Sequence, residues 1–200
     1  MTASHETPDV AAPRDVALFE AEALPHLDAL YRTARRLTRN DQAAEDLVQD
    51  TLERAYTHYD RFQPGTNMRA WLFRILSNLA ISQYRRLSAA PAIESLDDGE
   101  EFSLYDQLIE GGDTGSDVEA RVLDLLGEES IRSAIEALPI DFRMVVLLAD
   151  VEGFAYKEIA EILGIPRGTV MSRLFRGRRL LQRSLWDQAQ AAGISKAREG

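Results

Sequence analysis

Apolar residues recur along this chain at intervals of three and four, and strict alternation is nowhere sustained. That period belongs to helix, and no strand is predicted. Leu27, Leu30, Tyr31, Ala34 and Leu37 keep one helical face, and Asn40 and Asp41 then supply a stop and a new N-cap. The next helix, Asn40–Tyr59, carries Ala44, Leu47, Val48, Thr51, Leu52, Ala55 and Tyr59 on one side. The Pro-Gly pair in RFQPGTN (Arg61–Asn67) marks a loop. A third helix runs from about Met68 to Arg86, with Leu72, Ile75, Leu76 and Leu79 as its apolar stripe.

The texture changes at Ser88. The stretch SAAPAIESLDDGEEFSLYDQLIEGGDTGSD is rich in Asp, Glu, Gly and Ser and reads as a linker, with a short ordered piece around Phe102–Leu108. Ser116 followed by Glu119 forms a capping box that restarts helix. Ile131, Ile135 and Leu138 continue the pattern to Pro139, and DFRMVVLLADVEG reads as a compact buried helix ending at Gly153. The fold class expected is all-α: two small helical domains joined by an acidic flexible linker. Residues 1–15 form a disordered N-terminus, 16–88 the first domain, 89–125 the linker, 126–187 the second domain and 188–200 a frayed tail.

Within the second domain, YKEIAEILGIPRGTVMSRLFRGRRLLQRSL (Tyr156–Leu185) has the layout of a helix-turn-helix. Ile159, Ala160, Ile162 and Leu163 face a core, and Ala160 is small enough for a close helix crossing. Gly164 can take positive φ at the helix end. Ile165, before Pro166, is pushed out of the helical region, and Pro166 suits the first turn of the next helix. Val170 and Leu174 anchor that helix inward, which leaves Arg167, Thr169, Met171, Ser172, Arg173, Arg176, Arg178 and Arg179 to face outward. Arginine there contacts phosphates or reads guanine edges. A helical hairpin with a solvated basic face is the plainer reading. Six arginines with no acid between Arg167 and Trp186 favour DNA.

The formal net charge of −10 does not contradict this once it is divided. Residues 1–30 hold six acids against one base, and residues 89–130 hold thirteen against one. With their −17 removed, the rest of the chain carries +7, the asymmetry of a nucleic-acid binder with acidic connecting segments. There is no cysteine, so disulfides and thiolate metal sites are excluded, and the three histidines show no ligand spacing. No cofactor, metal or catalytic centre is expected. The N-terminus lacks the basic flank and apolar run of a signal peptide, and no apolar stretch is long enough to span a bilayer. A cytoplasmic protein with no membrane contact of its own is expected.

Two further surfaces stand out. Asp46, Gln49, Asp50 and Glu53 fall at i, i+3, i+4 and i+7, one mostly acidic stripe. It is either an ordinary solvated face or a docking face for a basic partner. On the third helix Trp71, Arg74, Asn78 and Arg85 share one side, with Arg69, Tyr84 and Arg86 near it. Aromatics among arginines and an amide suit stacking on unpaired bases. The competing reading is core for Trp71 and Phe73, and a solvated face for the arginines and Asn78.

Taken together, AEDLVQDTLERAY, NMRAWLFRILSNLAISQYRR, an acidic linker and LPIDFRMVVLLADVEGFAYKEIAEILGIPRGTVMSRLFRGRRLL closely resemble an extracytoplasmic-function (ECF) sigma factor of the sigma-70 family over about residues 16–187. LADVEGFAYKEIA and GTVMSRLFRGRR look most like the subgroup responding to thiol-oxidative or envelope stress. The resemblance implies an alternative sigma factor, not an enzyme, that directs RNA polymerase to stress-response promoters and aids their melting. It implies a region-2 domain in which Asp46, Gln49, Asp50 and Glu53 meet the β′ coiled coil of core polymerase. It implies minus-ten recognition by the loop Gly65–Asn67 and by Asn67, Trp71, Arg74, Asn78, Ser82, Arg85 and Arg86. It implies a region-4 domain, next to the β flap, in which Arg167, Thr169, Met171, Ser172, Arg173, Arg176 and Arg179 read the minus-35 element. It implies an anti-sigma factor that holds the protein inactive, with any zinc on the anti-sigma side because this chain has no cysteine. Two positions depart from the family pattern. Met171 stands where many members have Arg, implying an apolar minus-35 contact, and Ser82 stands where many have Asp or Asn.

Two other functions fit parts of the pattern. A stand-alone helix-turn-helix regulator would bind its duplex without polymerase. A helical adaptor that binds only proteins would be indifferent to loss of the arginines.

Overall fold

The computed structural model describes residues 13–38, 40–63, 65–87 and 128–191. The ordered piece at Phe102–Leu108, the Ser116–Glu119 capping box and the linker at 89–125 lie outside the described residues, as do most of the N-terminus and the end of the tail. Every regular element among the described residues is helical. The chain divides into two compact units, Met1–Leu79 and Ala80–Gly200, with the division falling inside a long helix.

The first unit begins with α1 (Pro13–Ala23), then a 3-10 turn at Leu24–His26, α2 (Leu27–Leu37), α3 (Asp41–Thr57) and a second 3-10 turn at Tyr59–Arg61. The long helix α4 (Met68–Leu87) follows. The sequence pattern does not single out α1, which includes Pro13–Asp15 of the segment expected to be disordered. Its inward residues are few, Phe19 and Ala23. The helix is held by tertiary contacts that no local period carries. Phe19 packs edge-on against Tyr56 (5.4 Å) and Tyr59 (5.3 Å), and the Tyr59 hydroxyl donates to Glu22 Oε2 at 2.9 Å.

Helices α2 and α3 pack together. Leu30, Ala34 and Leu37 from one meet the level of Ala44, Leu47, Val48 and Ala55 from the other, all buried. Thr51 is fully buried among them, and its hydroxyl is satisfied by donating to the Leu47 carbonyl at 2.7 Å. The expected cap is present: Asn40 Oδ1 accepts from the Ala43 N–H at 2.8 Å. In α4 the stripe Leu72, Phe73, Leu76, Leu79 and Ala80 is buried.

The second unit holds α5 (Glu128–Ala137), α6 (Ile140–Val146), a π-helical turn (Leu147–Val151), α7 (Tyr156–Leu163) and α8 (Arg167–Ala191). The helix expected to run on to Gly153 instead widens at Leu147. The Glu152 N–H bonds the Leu147 carbonyl at 2.9 Å and the Phe154 N–H bonds that of Leu148 at 2.9 Å. The widened turn keeps Leu147 and Leu148 buried, and Gly153 then turns the chain with φ +69°. Helix α8 continues to Ala191, so the first residues of the supposed tail are helical.

Helix α8 packs on α6, α7 and α5. Its inward positions are Val170, Leu174, Gly177 and Leu185. A close crossing that the sequence pattern does not single out lies at Gly177. A Cβ there would sit 2.8 Å from Val146 Cγ2 and 3.4 Å from Phe142 Cβ. Gly177→Ala is therefore expected to destabilise this unit by about 1–3 kcal/mol through overpacking. Alanine's helix advantage over glycine offsets this by about 1 kcal/mol. Urea unfolding followed by circular dichroism reads the difference. An unchanged or raised midpoint would mean that Val146 yields without cost.

Candidate functional site

Three solvent faces carry the candidate residues, one on α3, one on α4 and one on α8. On α3 the buried stripe at three- and four-residue spacing sends Asp46, Gln49, Asp50 and Glu53 to the opposite side, where all four are exposed. Gln42 Nε2 donates to Asp46 Oδ1 at 3.0 Å and Gln49 Nε2 to Glu53 Oε1 at 2.9 Å. These amides orient the carboxylates without neutralising them.

Beside the stripe lies a groove between α2 and α3 that the sequence reading did not find. Leu27, Tyr31, Val48 and Leu52 line it, and Asp28, Glu45, Gln49 and Glu53 rim it. Leu27, Tyr31 and Leu52 carry the core period but remain half-buried. The signal was an apolar stripe wider than the α2–α3 contact could cover.

The face on α4 begins at its cap. Asn67 Oδ1 accepts from the Ala70 N–H at 3.0 Å, and its main-chain carbonyl accepts from Trp71 at 3.1 Å. Asn67 is thus a structural N-cap, whatever else it touches. The loop before it turns at Gly65, φ +82°, and Thr66 Oγ1 donates to the Gln63 carbonyl at 2.7 Å. Trp71 is half-buried and leans on buried Phe62, ring centroids 5.2 Å apart. Arg74, Asn78, Ser82, Arg85 and Arg86 are all exposed. With Trp71 they fall within about 120° of arc on the helix. These six residues therefore share one side of the helix. Phe73 belongs to the core, fully buried, with the Arg69 guanidinium 5.3 Å from its ring centre.

The third face is on α8, and the turn before it follows the expected chemistry. Gly164 takes φ +65° as the left-handed cap of α7, and the Ile165 N–H bonds the Ala160 carbonyl at 3.1 Å. The Pro166 carbonyl accepts from Val170 at 3.1 Å, so Pro166 stands just before the first turn rather than in it. Arg167, Met171, Arg179 and Arg183 are exposed, and Thr169, Ser172 and Arg176 are half-buried. The Ser172 hydroxyl donates to the Thr169 carbonyl at 3.2 Å.

Arg173 and Arg178 have partners within the protein that an outward basic row does not predict. Arg173 Nη1 stands 3.1 Å from Asp141 Oδ1 of α6. Arg178 grips Asp150 with two bonds, Nε to Oδ2 at 3.1 Å and Nη2 to Oδ1 at 2.6 Å. The hydrogen bond it donates to Asp150 holds the Arg178 guanidinium above its already high pKa. Helix periodicity gave the direction of these side chains, but not the partners waiting on a helix far away in sequence.

Among the described residues no cluster of three or more His, Asp or Glu side chains could hold a metal ion, and no helix is long and apolar enough to cross a membrane. An acidic-faced helix, a helix with an arginine and aromatic face, and a helix-turn-helix with a basic second helix are the elements of a DNA-binding protein.

Comparison with known proteins gives the family. The model for Sigma-70 region 2 matches residues 24–90, and that for Sigma-70 region 4 matches residues 128–181. The ECF RNA polymerase sigma factor EcfG of Rhodopseudomonas palustris is 38% identical over 164 residues, 82% of this chain and 81% of that one. The ECF RNA polymerase sigma factor SigE of Mycolicibacterium smegmatis is 35% identical over 186 residues, 85% of this chain and 67% of that one. Among solved structures, the sigma factor RpoE of Bartonella quintana, in complex with the anti-sigma factor NepR, aligns with TM-score 0.61 and 33% identity, covering 84% of this chain and 96% of that one. The chain belongs to the ECF RNA polymerase sigma factors. It is an alternative sigma factor, which gives RNA polymerase its choice of promoter.

Proposed function

We propose that the three faces divide the work of initiation among them. Asp46, Gln49, Asp50 and Glu53, with the neighbouring groove, dock core polymerase. The groove has apolar walls and an acidic rim, the complement of a helical partner with an apolar stripe and basic flanks. Trp71, Arg74, Asn78, Ser82, Arg85 and Arg86 hold unstacked minus-ten bases, with Asn67 building the loop that presents them. Unstacking a base costs a few kcal/mol, and stacking on an aromatic side chain returns about 1–3 kcal/mol per base. Arg167, Thr169, Met171, Ser172, Arg176 and Arg179 meet the minus-35 duplex.

The observation that carries this reading is the segregation of charge on solvent faces. The carboxylates gather on α3, and the arginines gather on α4 and α8. The net charge of −10 slows approach to DNA by the free factor. Two weak readers gain avidity only when spaced correctly, which is the part assigned to polymerase. An anti-sigma factor of the kind bound by the Bartonella relative would hold the free factor inactive, in the cytoplasm. The thiol-oxidative or envelope stress subgroup is kept as the narrower proposal.

Reconstitution with core RNA polymerase and run-off transcription across a promoter library tests the reading. Promoter-dependent transcripts that need the factor are expected. Duplex binding without polymerase, with no such transcripts, would favour a stand-alone regulator.

A further inference from the structure

We propose that Asp141 and Asp150 are positioning residues for promoter reading: by gripping Arg173 and Arg178 they fix the roll of α8 about its axis, and so hold its base-reading side chains in register with DNA. This rests on the reading of α8 as the minus-35 helix.

Helix α8 lies on its neighbours through the stripe Val170, Leu174, Gly177 and Leu185. The hydrophobic effect that buries this stripe is non-directional, whereas a charged hydrogen bond has a preferred geometry. Gly177 lets α8 sit close to α6. A roll of about 20° carries a side-chain group at a radius of about 5–6 Å through about 2 Å. That displacement is enough to break a hydrogen bond to a base edge.

Arg173 and Arg178 are placed to prevent it. Five residues of helix turn through about 140° of arc, so the two lie on opposite flanks of the buried stripe. Their partners stand at the two ends of one continuous segment, Asp141 in the first turn of α6 and Asp150 in the π-helical turn that closes it. A roll in either direction stretches at least one of the two pairs. The Asp150 pair engages both carboxylate oxygens, the directional form of the contact. The Asp141 pair is more sheltered, with side chains 28% and 15% exposed, and so is less screened by salt. With both flanks held, the arc pointing away from the core presents Ser172, Arg176, Arg179 and Arg183.

The test uses full-length factor with core polymerase on a promoter that depends on its minus-35 element. Asp150→Asn, Arg178→Gln and their double variant are compared by transcription rate and by the salt dependence of promoter binding. Each single variant is expected to lower transcription about five- to tenfold, and the double no further, as for two residues acting as one unit. The swap Asp150→Arg with Arg178→Asp is expected to recover much of the loss. The salt slope should stay unchanged throughout, because no phosphate contact is removed. Asp141→Asn and Arg173→Gln should behave alike.

Asp150→Asn takes a negative charge off the DNA-facing domain. If Arg178 were a DNA contact merely masked by Asp150, this variant would raise promoter binding, and that result would overturn the proposal. So would a fall in salt slope of about one for Arg178→Gln alone, the signature of a lost phosphate contact. A drop in melting temperature large enough to explain the transcription loss would also overturn it. Arg179→Gln serves as the separate control for the minus-35 reading. If it changes neither transcription nor salt slope, that reading fails, independently of the clamp.

Discussion

The triple variant Asp46→Lys, Asp50→Lys, Glu53→Lys is expected to weaken binding of core RNA polymerase by about a hundredfold or more while the factor stays folded. All three carboxylates are exposed on the solvent side of α3, and Asp46 and Glu53 accept hydrogen bonds from the neutral amides of Gln42 and Gln49. Their charge is therefore available to a partner. Reversal replaces attraction by repulsion at three sites within about two turns of one helix, a span of about 10 Å that is comparable to the Debye length of about 8–10 Å. Juxtaposed like charges cost several kcal/mol at an interface, and rim charges act chiefly on the association rate. The loss should thus appear mainly as slower association and should shrink as salt is raised. Surface replacements of this kind leave stability within about 0.5 kcal/mol, so the melting curve is the control. Core binding that survives unchanged would show α3's acidic face to be merely solvated, the plainer reading of such a stripe.

The same reversal separates the stripe from the groove beside it. Leu52 is half-buried in the groove and carries no charge. Leu52→Ser should weaken polymerase binding without changing its salt dependence, because it removes apolar area rather than a charge. If only the charge reversal acts, the partner rides on the carboxylates alone and the groove is incidental.

What the sequence made legible follows the range of the forces involved. Asn40 as cap, Gly164 as left-handed stop, and the inward positions Val170 and Leu174 all depend on residues within one or two turns, and the structure has each in place. The motifs that carried the family resemblance are local in the same sense. What escaped depends on distant partners. Helix α1 is fixed by Phe19 against Tyr56 and Tyr59 rather than by its own period. Gly177 sits within a basic run, and its meaning lies in Val146 across the crossing. Arg173 and Arg178 were indistinguishable from Arg179 by spacing. Only the aspartates on α6 and the turn after it set them apart. The wider turn at Leu147–Val151 has no signature in a pattern of three and four, because four of its five residues, Leu147, Leu148, Ala149 and Val151, are apolar and suit either register.

Met171 gives the sharpest expected change in promoter choice. It is 44% exposed in the second turn of α8, while its neighbours Val170 and Leu174 are buried. The first turns of a recognition helix meet base edges. A thioether is at best a weak acceptor, so its favourable partner in the major groove is the thymine methyl group. Arginine at the same place would reach guanine O6 and N7 with two hydrogen bonds. Selection of minus-35 sequences by reconstituted holoenzyme should therefore give thymine at one position for the native factor. Met171→Arg should give guanine there, with about tenfold to hundredfold discrimination, the worth of one good bidentate pair. Uracil in place of that thymine removes the methyl group and nothing else. It should weaken the native factor and leave Met171→Ala indifferent. If both factors respond equally to uracil, Met171 does not touch the base, and the minus-35 element is read by the other residues of the α8 face.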